Sequence, residues 1–173
     1  EAAERTEDLF LSRSEDGGRR WSKPVQLTDF GQGTWAYAGP PAVYGNLLFL
    51  AFNVYNARTE GMADVWFAAV DPLKGTVVRP DGSESPLPLT LKDAGLLQQN
   101  GEGVQARVWD VGAAPDGTPR VAWMRSGSGG TEAWAARFDG RWVSARVAAG
   151  TDVYYPSGIV LDGRDETRAA LGV

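Results

Sequence analysis

Histidine and cysteine are both missing from the 173 residues of the chain. Without cysteine there is no disulfide framework and no thiolate zinc site. Without histidine the commonest metal ligand and the commonest general base are also gone. Long apolar runs are missing too: the longest, Leu47 to Phe52 and Val65 to Val70, fall far short of the ~20 residues that cross a bilayer. No membrane span is expected. Positive charge is in the minority, with 17 Lys and Arg against 22 Asp and Glu and a formal net charge of -5. A phosphate backbone is neutralised by clustered cations, so nucleic acid is not an expected partner. Glu1 to Asp8 is charged, with no apolar leader core, and Arg168 to Val173 reads as the middle of a strand. The chain is therefore expected to be a piece of a longer protein.

What is abundant is turn chemistry. The 22 glycines are roughly twice the usual share, and 10 prolines accompany them. With 43% hydrophobic and 10% aromatic residues the chain has enough apolar surface to stay ordered, yet no long helix-forming stretch. An all-β fold follows. Asp8 to Arg13 and Val25 to Thr28 alternate apolar and polar residues as a hairpin, and Ala38 to Tyr44, Leu47 to Tyr55, Asp64 to Asp71 and Pro86 to Leu91 read as four further strands. Val108 to Ala114, Thr118 to Ser126, Glu132 to Phe138 and Arg141 to Val147 form the next four, joined by Pro115-Asp116-Gly117, Gly127 to Gly130 and Asp139-Gly140. A last pair, Pro156 to Leu161 and Arg168 to Val173, flanks Asp162 to Asp165. Pro115-Asp116-Gly117 and Leu161-Asp162-Gly163 recur at a spacing near the ~40 to 50 residues of a propeller blade. Lys92 to Gln105, polar and glycine-bearing, reads as a surface connection.

The hairpin turn Ser14-Glu15-Asp16-Gly17-Gly18-Arg19-Arg20-Trp21 has the spacing S-x-D-x-G-x-x-W. Ser14 and Asp16 can accept from backbone N–H groups of the turn, Gly18 supplies a positive φ, and Trp21 can fold back over the loop. Arg19 and Arg20 read as a solvated part of it.

This motif resembles the Asp-box of the BNR-repeat, sialidase-like β-propellers. A wider resemblance runs over most of Trp66 to Val173: Arg79 to Ser83 before Leu87-Pro88-Leu89, Ala106 to Val111 with Pro115 to Pro119, Ala136 to Trp142, and Tyr155 to Asp162. It is similar to the BNR branch that includes polysaccharide lyases acting on ulvan and rhamnogalacturonan-type glycans. The resemblance implies a β-propeller of four-stranded antiparallel blades, of which this chain supplies about three. Residues 1–30 end one blade, 36–91 form a second, 106–148 a third, and 154–173 begin a fourth. It also implies a secreted or periplasmic glycan-processing protein, with its site in the central funnel and its remaining blades as partners. Asp-boxes in the family lie on outer strands, so Ser14, Asp16, Gly18 and Trp21 are read as structural.

Family lyases pair His with Tyr and Arg to neutralise a uronate and remove its α-proton, which calls for a base poised near neutral pH and a cation. No His stands here; Phe52-Asn53-Val54-Tyr55-Asn56 offers Asn and Tyr instead, which disfavours His-dependent lyase chemistry in this segment. Sialidases carry an Arg-Ile-Pro motif that is also missing. Lyase or glycoside hydrolase, non-catalytic carbohydrate- or protein-binding propeller, and sialidase thus stand as readings in that order. No catalytic residue is assigned. The substrate-binding candidates are Arg107, Trp109 and Asp110 on one inner strand, Tyr154 and Tyr155 before the next, and Arg125, Asn53 and Tyr55 at the ends of second-position strands. Arg can pair bidentately with a sugar carboxylate, and Trp or Tyr can stack on a pyranose. The competing role for Trp109 is inter-blade core, and for Asp110 a strand-end acceptor. Trp66, Trp123, Trp134 and Trp142 are read as packing between blades. Asp162 to Glu166 lacks the spacing of a calcium loop, so neither metal nor cofactor is expected, and the partner is a carbohydrate, an acidic polysaccharide fitting best.

Overall fold

A computed structural model of the chain describes residues 7–56, 61–79, 81–101, 103–150, 158–162 and 169–172. All the regular structure in it is β. A short hairpin comes first, β1 (Phe10–Leu11) and β2 (Val25–Gln26), followed by β3 (Thr34–Ala38), β4 (Ala42–Tyr44), β5 (Leu47–Asn56), β6 (Val65–Asp71), β7 (Thr76–Val78), β8 (Glu84–Pro86) and β9 (Gly95–Gln98). The chain continues with β10 (Gln105–Ala113), β11 (Pro119–Gly127), β12 (Gly130–Phe138), β13 (Trp142–Ala149), β14 (Gly158–Leu161) and β15 (Ala169–Gly172).

The strands β10 to β13 make a four-stranded antiparallel meander in sequence order. Its turns are those that the sequence marks: Thr118 N–H donates to the Asp116 carboxylate at 2.9 Å, closing the first of them. The sheet before it is less regular. β3 and β4 both pair with β5, so together they form one edge rung interrupted at Gly39-Pro40-Pro41. Two consecutive residues without N–H groups cannot extend a ladder, and the single strand expected over Ala38 to Tyr44 is divided there.

On the other side of β6 the rung is divided again. β7 pairs with the Ala69–Asp71 end and β9 with the Val65–Phe67 end. The expectation of a plain connection over Lys92 to Gln105 is therefore corrected, because β9 lies inside it. Its sequence, Gly-Leu-Leu-Gln, buries only Leu97, so alternation is hard to see. Pro86 to Leu91 does not form a full strand either. Leu89 makes a single parallel bridge with Thr28, which ties the first hairpin to the β5–β6 sheet.

Period-two alternation sorts each sheet's side chains onto two faces. Leu48, Leu50 and Phe52 of β5 join Leu27 of the hairpin region, Val70 and Leu89 in one buried cluster. Phe49 and Ala51 point the other way and meet Val108, Val111, Val121 and Trp123 of the next sheet. Beyond that, Ala122, Met124 and Ala133 pack against Ile159 of β14. Hairpin, broad sheet, meander and the β14–β15 pair thus stack face on face, each core lying between consecutive sheets. Trp123 is fully buried and stacks on Trp134 with centroids 6.2 Å apart, while Trp142 meets Phe67 edge-on at 5.0 Å. Burying a side chain of this size contributes about 1.5–3 kcal/mol. The sheets approach closely at Gly39, where an added Cβ would stand 2.6 Å from Val108 Cγ1.

Candidate functional site

The end of the sheets that holds the last residues of β5, the start of β6 and the start of β10 carries a connected set of polar side chains. Asn53 is fully buried there. Its amide donates to the Asp64 carbonyl at 2.8 Å, and its Oδ1 accepts from Val108 N–H, also at 2.8 Å. Asp64 in turn accepts from the Asn100 N–H at 2.9 Å, and Asn100 Oδ1 accepts from Arg125 Nη1 at 3.4 Å. Arg125 Nε donates to Glu132 at 2.8 Å, with its guanidinium carbon 4.8 Å from the centre of the Trp134 ring. Glu132 also accepts from Trp134 Nε1 and Arg146 Nη1. Eight residues are thus linked, from Val108 of β10 to Arg146 of the outer strand β13.

The Glu132 carboxyl is held below its ordinary range, first by the Trp134 N–H and then by Arg146, with Arg125 adding to it against a smaller opposing effect of desolvation. Such a group stays ionised and serves as an anchor, a poor proton acceptor at neutral pH. Its role is to orient Arg125. That side chain is one-third exposed, and its Nη2 makes no hydrogen bond among the described residues.

Aromatic rings stand on the same face of the broad sheet. Trp35 lies opposite Tyr55 in the β3–β5 ladder and stacks on it at 4.7 Å, and Tyr37 meets Tyr55 edge-on at 6.5 Å. Tyr37 is 42% exposed, on an edge strand. It is the accessible member of the group. Neither Trp35 nor Tyr37 is singled out by the sequence reading, although Thr34 to Ala38 alternates once its pairing to Asn53-Val54-Tyr55 is known.

The structure divides the remaining candidates. Arg107 lies opposite Met124 on the other face of the meander, half-buried, with no ion pair or side-chain hydrogen bond among the described residues. Trp109 sits at a β-bulge, where the register shifts between Val108 and Asp110, and packs on the Ala122, Met124 and Ile159 cluster. Asp110 accepts from Leu161 N–H at 2.7 Å and from Val111 N–H at 2.9 Å, so its carboxylate ties β10 to β14. Tyr154 and Tyr155 lie outside the described residues. Asn53, committed at both ends of its amide, has no surface left for a ligand.

The Ser14 to Trp21 turn takes the form that its spacing implies. Ser14 Oγ accepts from Gly18 N–H at 2.8 Å, and Asp16 accepts from Arg20 N–H at 2.8 Å and from the Ser14 hydroxyl at 3.0 Å. Those bonds, the Arg20 one foremost, lower the Asp16 pKa. Gly18 has φ of 88°, and Trp21 Nε1 reaches back to its carbonyl at 3.1 Å. The turn lies away from the Arg125 end. A cavity of about 240 Å³ between the two larger sheets, walled by Phe49, Phe67, Phe138 and Trp142, is mainly apolar and offers a sugar few partners.

Sheets packed face on face define an all-β protein. The chain is similar to a structure described as a new family of polysaccharide lyase, PL25 ulvan lyase, with a TM-score of 0.65 and 17% identity over 79% of this chain and 37% of that one. A structure of the same lyase family bound to -[GlcA(1-4)Rha3S]- aligns over the same shares, with a TM-score of 0.65 and 19% identity. The chain spans well under half the length of those structures. At such identity the likeness is one of fold. No family model and no curated protein matches the sequence.

Proposed function

We propose that the chain is part of a polysaccharide-degrading β-propeller of the Asp-box, sialidase-like type. In this reading it contributes a subsite for an acidic sugar at the open inner edge of the β3–β5 and β10–β11 strands. The observation that carries it is the pairing, at one end of the sheets, of a free guanidinium edge with an accessible aromatic group. Arg125 Nη2 is unengaged among the described residues, and Tyr37 stands exposed over the Trp35–Tyr55 stack. A carboxylate or sulfate can accept from Arg125, while a pyranose lies against Tyr37. Arg107, on the neighbouring edge strand, faces the opposite side of the meander and is left out of this subsite, and Tyr154 and Tyr155 remain candidates from the sequence. The fold shared with ulvan lyase supports the substrate class.

Proton transfer is not assigned to these residues. Among the described residues each carboxyl that is displaced from its ordinary range, Asp16, Asp81, Glu84, Asp93, Asp116 and Glu132, moves down, away from neutrality. That observation favours a second reading, a carbohydrate-binding propeller without chemistry of its own. Incubating the full-length protein with acidic polysaccharides and with sialosides, while following unsaturated uronate and free sugar, separates the cases. Degradation supports the enzyme; binding without products supports the second reading; neither binding nor products removes both.

A further inference from the structure

We propose a second glycan site, for an anionic polysaccharide segment, in the groove between the Ser14 to Trp21 turn and the β6–β7 turn. The groove measures about 620 Å³ and is lined by Trp21, Arg20 and Lys23, with Val25 and Leu73 as its apolar floor. It deepens the reading of the protein as polysaccharide-degrading and rests on it. The location is separate from the inner-edge subsite: β6 starts at the Asn53 end and delivers Pro72 and Leu73 at the other, six residue steps or roughly 20 Å away.

Two features identify the occupant. The first is a rigid aromatic platform. Trp21 is 64% exposed, yet its Nε1 is tied to the Gly18 carbonyl at 3.1 Å and its ring edge rests near Gly18, so the exposed ring is held in place before any ligand arrives. A pyranose fits such a face. The second feature is charge. Glu15 is paired by Arg13 at 2.6 Å, and Asp16 is turned into the loop by Ser14 and the Arg20 N–H. Arg20 and Lys23, with Arg19 beside them, are left without a carboxylate partner among the described residues. In a chain of net charge -5 this is a local positive surface next to an aromatic ring. A neutral sugar leaves those cations unused, whereas a uronate or sulfated sugar engages them.

Calorimetric titration of the full-length protein with ulvan, and with neutral dextran as comparator, tests the site. Trp21→Ala and the double variant Arg20→Gln with Lys23→Gln should each weaken ulvan binding about fivefold to tenfold. The double variant should also flatten the salt dependence of binding. It leaves every hydrogen bond of the turn intact, since only the Arg20 backbone takes part in them, and an unchanged melting temperature checks this. Turnover of short oligosaccharides, too small to reach both ends, should not change. Wild-type ulvan affinity in both variants overturns the proposal, as does equal loss of dextran binding, or tighter binding of duplex DNA or anionic phospholipid vesicles than of ulvan. Arg125→Ala separates this site from the inner-edge reading. Loss there with none in the groove variants removes the groove alone, and the reverse pattern removes the inner-edge subsite alone.

Discussion

Replacing Asn53 with Ala removes the link that crosses from β5 to both Asp64 and β10. Two backbone groups then lose their partners, the part-buried Asp64 carbonyl and the buried Val108 N–H, each now bonded at 2.8 Å. An orphaned buried polar group costs about 1–3 kcal/mol; the Val108 N–H bears that in full, and the part-buried Asp64 carbonyl, nearer to water, adds a smaller amount. At about 2–4 °C per kcal/mol for a domain of this size, a loss near 3 kcal/mol lowers Tm by roughly 6–12 °C. Asn53→Asp provides the control. Its carboxylate can still accept from Val108 N–H but faces the Asp64 carbonyl with a second acceptor, so it should destabilise at least as much at neutral pH. It should recover part of the loss in acid, where a protonated oxygen can donate to Asp64. The assay is thermal and denaturant unfolding of each variant, with hydrogen exchange at Val108 as the local readout. A change within about 0.5 kcal/mol, the range of an ordinary surface substitution, contradicts the role of Asn53 as an interior link.

Acid should expose the role of Glu132. Its pKa is lowered in the folded protein, so the stabilisation it contributes is present above its ordinary value near 4.5 and is lost as pH falls through the depressed folded value. Glu132→Gln should therefore flatten the decline of stability below about pH 4.5 seen in denaturant titrations; an unchanged acid limb argues against the Arg125–Glu132–Arg146 cluster. Gly39→Ala should destabilise by about 1–3 kcal/mol through the clash with Val108, measurable by urea unfolding, and Val108→Ala in the same chain should restore part of the loss. Recovery in the double variant is the required result.

The regular part of the fold could be read from residues. Alternation in 119–126 and 132–138, with Asp-Gly turns between, marks the meander, and the S-x-D-x-G-x-x-W spacing carries the whole geometry of the first turn because every bond in it is local. The breaks were harder. Gly39-Pro40-Pro41 interrupts a strand whose two halves still share β5 as a partner, and β9 hides in a polar stretch because it is an edge strand with one buried leucine. The candidate site was legible in its residue types more than in its connections. Arg125 and Tyr55 were visible as an Arg and an aromatic at strand ends, but the Asn100 contact joins residues 25 apart, and the Asn53 amide spans 55 residues to Val108. No local pattern encodes such pairs. They follow from the stacking of two sheets, which also turns Asn53 from a surface candidate into an interior link.

In the proposed function an acidic sugar sits at the inner edge between Tyr37 and Arg125. A crystal structure of the full-length protein with an oligosaccharide of the -[GlcA(1-4)Rha3S]- repeat tests it most directly. The predicted result is a pyranose against the Tyr37 ring with its carboxylate or sulfate on Arg125 Nη2. A saturated complex in which the sugar lies elsewhere and the Arg125 edge stays unoccupied contradicts it.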